Sequence, residues 1–180
     1  MKSARNMAIF LDRDGVLNRA IIKQNKPYPP ANLEMVEILP GVDDALRRLK
    51  VAGFLLIAVT NQPDVARGTQ RRENVEEINT YLLGKLSLDD ILTCFEDGDD
   101  PRRKPNPGML FEAAQKHHVD LLKSFMVGDR WKDIEAGQRA GCTTVFINNE
   151  YNERPPSPPA DITANSLADA TPTILADDHN

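Results

Sequence analysis

The sequence predicts an α/β fold of the Rossmann-like, three-layer type, with a central parallel β-sheet between two layers of helices and no separate cap domain. Short apolar runs without polar alternation are typical of strands that are buried on both faces of a parallel sheet. Segments with helical periodicity separate these runs, as the crossovers between parallel strands require. The chain of 180 residues is long enough for one domain, so we expect a single domain over 1–180, with its core at about 7–150.

Five apolar runs are predicted to form the strands of the sheet. They lie at residues 7–11, 54–59, 91–95, 125–127 and 143–147. The first run stops abruptly at Asp12 and the second ends at Thr60, which is typical of a buried strand that opens into a polar loop. After the proline-rich connector 154–159, the chain is predicted to add an edge strand and a last helix at about 160–175.

Four segments between or after these runs are predicted to be helical. They lie at residues 41–50, 70–86, 107–118 and 131–140. In the first segment apolar residues recur at helical spacing from Val42 to Leu49, and Gly53 closes the helix. Pro107 suits the first turn of the third helix. Residues 19–40, which are irregular and proline-rich, are expected to form a flap over the carboxyl edge of the sheet, with a plain connecting loop as the alternative.

Polar residues follow the apolar runs where the predicted strands end. They are Asp12 and Asp14 after the first run, Thr60 and Asn61 at the second, Lys104 beyond the third, and Asp129 and Asp133 after the fourth. Because the carboxyl ends of parallel strands share one edge of a sheet, we expect these side chains to converge. Carboxylates from two strands are suited to share a divalent cation, which also binds phosphate oxygens. The Thr60 hydroxyl and the Lys104 ammonium would approach that phosphate from the other side.

In their order along the chain, these residues resemble the motifs of the haloacid dehalogenase (HAD) superfamily of phosphohydrolases. The matching motifs are Asp12-Arg13-Asp14-Gly15-Val16, Thr60-Asn61-Gln62, Lys104-Pro105 and Gly128-Asp129 followed by Asp133, and the likeness covers about residues 8–147. More narrowly, residues 12–18, 60–62, 66–68 and 103–109 resemble the branch that includes heptose-bisphosphate and histidinol-phosphate phosphatases, and residues 161–170 resemble its tail.

The resemblance implies a role for each of these residues. Asp12 would attack the phosphorus and form a phospho-aspartate, and Asp14 would protonate the leaving oxygen and then activate water. Mg²⁺ would be held by Asp12, Asp129 and the main-chain carbonyl of Asp14, and Asp133 would support the surroundings of the metal. Dehalogenases displace halide, which needs no proton, and they typically lack an acid where this chain has Asp14. The acid at this position therefore favours hydrolysis of a phosphate ester.

The resemblance further implies that Thr60, Asn61 and Lys104 hold the phosphoryl oxygens in the transition state. Arg103 and Arg130 lie beside site residues and are candidates for binding an anionic group of the substrate, with solvated surface charge as the alternative. Arg67 has the same two interpretations.

We therefore predict a Mg²⁺-dependent phosphoric monoester hydrolase that acts on a small phosphorylated metabolite. D-glycero-D-manno-heptose 1,7-bisphosphate is the lead substrate and histidinol phosphate the alternative. A receiver-like signalling module and a non-catalytic phosphate-binding homologue are the alternatives from other classes. Receivers place the phosphorylated Asp after a central strand, whereas here Asp12 follows the first strand.

One loop departs from the heptose-bisphosphate branch, which usually carries a zinc-bound loop of one His and three Cys before its Arg-Lys-Pro. Here Cys94 is followed by residues 95–102, which contain neither His nor Cys. Tetrahedral zinc needs about four N or S ligands, so no structural zinc is expected. Pro63-Asp64 also stands where the branch has Ser-Gly.

Composition bounds the partners and the compartment. The formal net charge of −5 argues against a nucleic-acid partner. No stretch approaches the roughly 18 consecutive apolar residues of a membrane span, and no signal peptide is recognisable, so we expect a cytoplasmic protein without a membrane partner. A small domain without a cap is expected to be a monomer.

Overall fold

Eight strands lie within residues 5–177, which are the residues that the computed structural model describes. They are β1 (Ala8–Leu11), β2 (Ile21–Lys23), β3 (Lys26–Tyr28), β4 (Leu55–Asn61), β5 (Asp90–Cys94), β6 (Phe125–Gly128), β7 (Thr143–Ile147) and β8 (Ile162–Ala164). Six of them form one sheet in the order β5-β4-β1-β6-β7-β8, in which every pair of neighbours is parallel. The predicted central parallel sheet is thereby confirmed.

Five α-helices in the same described range cover the two faces of this sheet. They are α1 (Val42–Val51), α2 (Arg72–Lys85), α3 (Gly108–His117), α4 (Trp131–Ala140) and α5 (Leu167–Asp177). Most buried side chains of α1, α2 and α5 belong to one hydrophobic core, and those of α3 belong to a second core with Ala140 of α4. The predicted three-layer arrangement is confirmed, because each core lies between the sheet and its own layer of helices.

The central strands supply side chains to both cores in alternation. In β1, Ile9 and Leu11 lie in the first core, while Ala8 and Phe10 lie in the second. Successive side chains of a strand point to opposite faces, so an uninterrupted apolar run is what a sheet covered on both faces requires. Complete burial of each large apolar side chain contributes roughly 1.5–3 kcal/mol.

The segment 19–40 contains a hairpin that the sequence did not predict. Strands β2 and β3 pair antiparallel through a two-residue loop, and both loop residues, Gln24 and Asn25, have positive φ, at 50° and 57°. This is the backbone of the turn type that matches the twist of hairpin strands. Gln is a weak signal for such a turn, so the sequence pattern resembled an irregular loop.

The order of the strands places a crevice at the centre of the sheet. From β1 the chain proceeds to β4 and β5 on one side, and later to β6, β7 and β8 on the other. Such a reversal is where open α/β sheets bind ligands, outside the carboxyl ends of the strands. Asp12 follows β1 and Asp129 follows β6, so both lie at this crevice. None of the helices in the described part of the chain is long and apolar enough to cross a bilayer.

Candidate active site

A pocket at the carboxyl edge of the sheet contains most of the predicted site residues. It is lined by Asp12, Asp14, Pro27, Tyr28, Pro29, Thr60, Asn61, Lys104, Arg130, Lys132 and Asp133. Three of these residues, Pro27, Tyr28 and Pro29, lie in β3 or directly after it, within the segment 19–40 that was expected to form a flap. Asp129 adjoins the pocket through Asp12, whereas Arg103 is outside the lining.

Three buried carboxylates form the electrostatic centre of the site. Asp12, Asp129 and Asp133 each place one carboxylate oxygen within 4.8 Å of the others. Burial raises the pKa of Asp12 to about 6, although the Lys104 ammonium opposes this rise. Burial, with repulsion from Asp12 and Asp133, raises the pKa of Asp129 well above its ordinary value. Since Asp129 Oδ1 is buried without a hydrogen-bond partner, the donor set fits a hard divalent cation.

Lys104 joins two of these carboxylates. Its Nζ lies 2.7 Å from Asp12 Oδ1 and 2.7 Å from Asp133 Oδ1, and it donates a third hydrogen bond to the carbonyl of Val59 at 2.7 Å. Burial alone would lower the pKa of Lys104, but the two carboxylates raise it, so the ammonium keeps its charge. All three donors of the side chain are thus used, which fixes the positive charge beside Asp12.

Asp133 has a second contact that fixes the start of α4. Its Oδ2 accepts a hydrogen bond from the main-chain N–H of Arg130 at 3.0 Å. Gly128 leaves room for this side chain, because a Cβ there would lie 2.0 Å from Asp133 Cβ. Both carboxylate oxygens of Asp133 therefore have protein partners, and the residue contacts the pocket through Lys104 and the start of α4.

Asp14 and Thr60 are joined by Gln62, a residue to which the sequence motifs gave no role in the site. Gln62 Nε2 donates to Asp14 Oδ2 at 2.9 Å and to Thr60 Oγ1 at 2.8 Å. The Thr60 hydroxyl therefore accepts one bond and keeps its own proton for another acceptor. Asp14 is also held by the buried guanidinium of Arg13 at 3.0 Å and by Asn18 Nδ2 at 2.9 Å.

Asn61 has a partner that the sequence did not indicate. Its side-chain amide donates to the carbonyl of Lys104 at 2.9 Å and accepts from the main-chain N–H of Lys104 at 3.0 Å. These two bonds join the end of β4 to the loop that carries Lys104. The Asn61 side chain thus positions Lys104, in addition to lining the pocket.

The three candidate arginines are oriented differently. Arg130 lines the pocket and pairs with Glu153. Arg103 faces the acidic loop, where it lies 3.3 Å from Asp97 and donates to the carbonyl of Gly98, so the structure does not bring it to the pocket. Arg67 also pairs with Asp97, at 2.7 Å.

Asp129 is oriented by residues that sequence reasoning missed. Asn149 Nδ2 lies 3.3 Å from Asp129 Oδ2 and 3.0 Å from the carbonyl of Gly15, and the Tyr151 hydroxyl also donates to Asp129. A Cβ on Gly15 would lie 1.8 Å from Asp129 Oδ2, so this position requires glycine. Asn149 and Tyr151 follow β7 at the same edge of the sheet, and this location is the one feature of the sequence that could have indicated their place in the site.

Comparison with known proteins identifies the family. The chain is 34% identical over 160 residues to the D-glycero-β-D-manno-heptose-1,7-bisphosphate 7-phosphatase of Rhodopseudomonas palustris, and this match covers 81% of the chain and 86% of that protein. It is 35% identical to the enzyme of the same name from Escherichia coli K12, with 93% of each covered. A HAD-hydrolase-like family profile matches residues 101–170. The chain belongs to the HAD-like phosphatase family.

A solved structure agrees with this membership. The D,D-heptose 1,7-bisphosphate phosphatase from B. bronchiseptica, crystallised with magnesium and phosphate, superposes with a TM-score of 0.77 at 26% identity, over 95% of this chain and 99% of that one. As a HAD-like phosphatase, the chain is a phosphoric monoester hydrolase, as the sequence predicted. The family resemblance drawn from the motifs is likewise confirmed.

The loop that differs from the heptose-bisphosphate branch is held by side chains of this chain. Asp97 pairs with Arg67 and Arg103, and Asp100 Oδ1 accepts from the main-chain N–H of Arg102 at 2.8 Å. Cys94 is buried, and its Sγ lies 3.8 Å from Asp100 Oδ1. Carboxylate contacts therefore shape the loop that leads to Lys104 in this HAD-like phosphatase.

Proposed function

We propose that this chain is a Mg²⁺-dependent phosphatase that hydrolyses a phosphorylated sugar through a phospho-aspartate on Asp12. The observation that supports this most directly is the convergence of Asp12, Asp129 and Lys104 at the carboxyl edge of the sheet. These groups come from three separate segments, and two buried acids beside one another are unfavourable unless a cation completes the site.

Mg²⁺ would be held by the side chains of Asp12 and Asp129 and by the main-chain carbonyl of Asp14. The unpartnered Asp129 Oδ1 supports this assignment, since an orphaned buried carboxylate oxygen needs a cation or a donor. The metal would neutralise the phosphate and keep the carboxylates ionised. Both oxygens of Asp133 are already bound to protein donors, so we place this residue outside the ligand set.

The chain's own residues supply the two chemical steps. A carboxylate oxygen of Asp12 attacks the phosphorus, the ester oxygen leaves, and Asp14 supplies the proton that this oxygen requires. Asp14 then removes a proton from the water that attacks the phosphorus, which releases phosphate and regenerates the Asp12 carboxylate. During both steps the Lys104 charge and the free proton of the Thr60 hydroxyl stabilise the negative phosphoryl oxygens.

Relatives point to the class of substrate. The named relatives act on heptose 1,7-bisphosphate and remove its 7-phosphate, and the match covers most of both chains. We therefore propose D-glycero-D-manno-heptose 1,7-bisphosphate as the substrate and its 7-phosphate as the group removed. We also propose that residues 1–180 act as one domain, since β8 and α5 complete the same sheet and core as β1. We further propose that this small domain without a cap is a monomer. Light scattering should then give a mass close to 20.1 kDa.

Phosphate release from a panel of sugar phosphates and histidinol phosphate tests the function. We expect Mg²⁺-dependent release, fastest from the heptose bisphosphate, and a loss of at least about 10³-fold for Asp12→Asn, because the nucleophile is removed. Borohydride reduction during turnover should modify Asp12 in the wild type, and mass spectrometry would locate the change. Release without Mg²⁺, or an Asp12→Asn variant as active as the wild type, would exclude the proposal.

A further inference from the structure

We propose that Lys132 is a specificity-determining residue that binds a second phosphate of the substrate, away from the phosphate that Asp12 attacks. This inference rests on the proposed function, and it concerns a residue to which the sequence motifs assign no role. It predicts that the enzyme prefers a sugar bisphosphate over a monophosphate because of this side chain.

Lys132 differs from the other cations of the pocket in having no carboxylate partner. Lys104 is neutralised by Asp12 and Asp133, and Arg130 pairs with Glu153. Lys132 lines the same pocket but makes no ion pair with any residue in the range 5–177. Its ammonium lies 5.4 Å from the centre of the Trp131 ring, which restricts the side chain without neutralising it.

The surroundings of Lys132 favour an anion. The residue is half-buried in the first turn of α4, where the helix dipole is positive. Burial lowers the pKa of Lys132, and the positive charges of Arg103 and Arg130 lower it further. Glu153, the partner of Arg130, opposes this shift only in part, so an anion bound beside Lys132 and Arg130 in the pocket would relieve their mutual repulsion. A phosphate is suited to the position, since it accepts several charge-assisted hydrogen bonds at once.

The position of Lys132 separates this anion from the phosphate under attack. The pocket extends from Asp12 and Lys104 to Arg130 and Lys132 at the start of α4. The donors near Asp12 belong to Lys104 and Thr60, whereas Lys132 lies at the start of α4 and, among the described residues, makes no hydrogen bond or ion pair with either of them. A substrate that places one phosphate at Asp12 would present a distal anionic group to the wall formed by α4.

The test compares the selectivity of variants for two substrates with one assay. The substrates are heptose 1,7-bisphosphate and p-nitrophenyl phosphate, which has no distal anion, and the measured quantity is the ratio of their kcat/KM values. We expect Lys132→Met to lower this ratio about tenfold, chiefly through the KM of the bisphosphate, because one charge-assisted contact is lost. Lys132→Glu should lower it further, and Lys132→Arg should retain most of it.

Lys85→Met is the matched control. Lys85 is exposed on α2, lies 6.0 Å from the centre of the Tyr81 ring and is outside the pocket, so its removal should leave the ratio unchanged. An unchanged ratio in Lys132→Met, or an equal fall in Lys85→Met, would overturn the inference. If the wild type hydrolyses sugar monophosphates with Mg²⁺ but shows no preference for the bisphosphate, this inference fails while the proposed phosphatase stands. If the wild type shows no Mg²⁺-dependent release at all, both fail.

Discussion

Replacing Asp129 by Asn should stabilise the metal-free protein while it abolishes the response to Mg²⁺. Asp129 is buried, and its carboxylate lies within 4.8 Å of those of Asp12 and Asp133. Within residues 5–177 Lys104 is the one cation that forms ion pairs with these carboxylates, and Arg130 offsets the charge of Asp129 from farther away, so the metal-free site is expected to have excess negative charge. An Asn side chain has nearly the same shape and can still accept the hydrogen bonds from Asn149 and Tyr151.

The size of this effect can be worked from the distances. Two like charges 4.8 Å apart repel each other by roughly 3 kcal/mol at an effective dielectric constant of about 20. Allowing for relaxation, we expect Asp129→Asn to raise the metal-free unfolding free energy by about 2 kcal/mol, or roughly 4–8 °C in Tm for a chain of this size.

The stability difference between Asp129→Asn and the wild type should depend on pH. A carboxyl group whose folded-state pKa is raised binds its proton more tightly in the folded state, so it destabilises the fold as pH rises through that pKa. The advantage of Asp129→Asn should therefore be larger at about pH 8 than at about pH 5, because the raised pKa of Asp129 means that its protonated fraction in the folded wild type grows as pH falls.

Thermal unfolding with EDTA and with saturating Mg²⁺ measures both effects. At a Mg²⁺ concentration of 100 times Kd, the unfolding free energy of the wild type should increase by about 2.7 kcal/mol, and its Tm should rise accordingly. The Tm of the variant should not respond to Mg²⁺. Glu77→Gln on the exposed face of α2 controls for a simple change of net charge. A variant that is less stable than the wild type at about pH 8 in EDTA, or that gains as much from Mg²⁺, would refute the reasoning.

Three further changes test the contacts around the carboxylates. Tyr151→Phe removes a donor to Asp129 and should weaken Mg²⁺ binding about tenfold by calorimetry. Gly15→Ala should abolish the Mg²⁺-dependent rise in Tm, since its Cβ would lie 1.8 Å from Asp129 Oδ2. Gln62→Leu removes the donor shared by Asp14 and Thr60 and should lower kcat about tenfold, without the loss of Mg²⁺ binding seen for the other two. In the wild type, the raised pKa of Asp12 predicts that Mg²⁺ affinity decreases once the pH is lower than about 6. The decrease should be roughly tenfold per pH unit for each proton that must leave before the metal binds.

The positions of the strands were predictable, and so was the edge at which the polar residues meet. The strand at 143–147 and the helix at 131–140 have the predicted bounds. Both are defined locally, the strand by its apolar run and the helix by the glycine that ends it. Asp12 and Asp129 were expected to converge, since the rule for the carboxyl ends of parallel strands does not depend on strand order. That β1 lies directly between β4 and β6 could not be predicted, because order depends on packing between distant segments.

The partners of the charged side chains were much less predictable. Arg103 directly precedes Lys104, and Arg130 directly follows Asp129. Even so, Arg103 faces Asp97, whereas Arg130 lines the pocket. Adjacent side chains in a loop point in different directions, and sequence spacing alone does not specify which one faces the site. Lys132 was missed for a related reason, because an isolated lysine in a helix resembles a solvated charge until the pocket is defined.

The position of Lys104 depends on contacts with residues outside the cluster of buried carboxylates. Its main chain is held by the Asn61 amide through two hydrogen bonds, and the loop before it is held by the ion pairs of Asp97 with Arg67 and Arg103. The Arg67 and Arg103 guanidinium groups, with hydrogen bonds from Arg67 and from the main chain, lower the pKa of Asp97 to about 2, so these pairs persist over the pH range in which Asp12 titrates. Acidification therefore acts on the buried carboxylates of the pocket first, while the support of Lys104 stays in place.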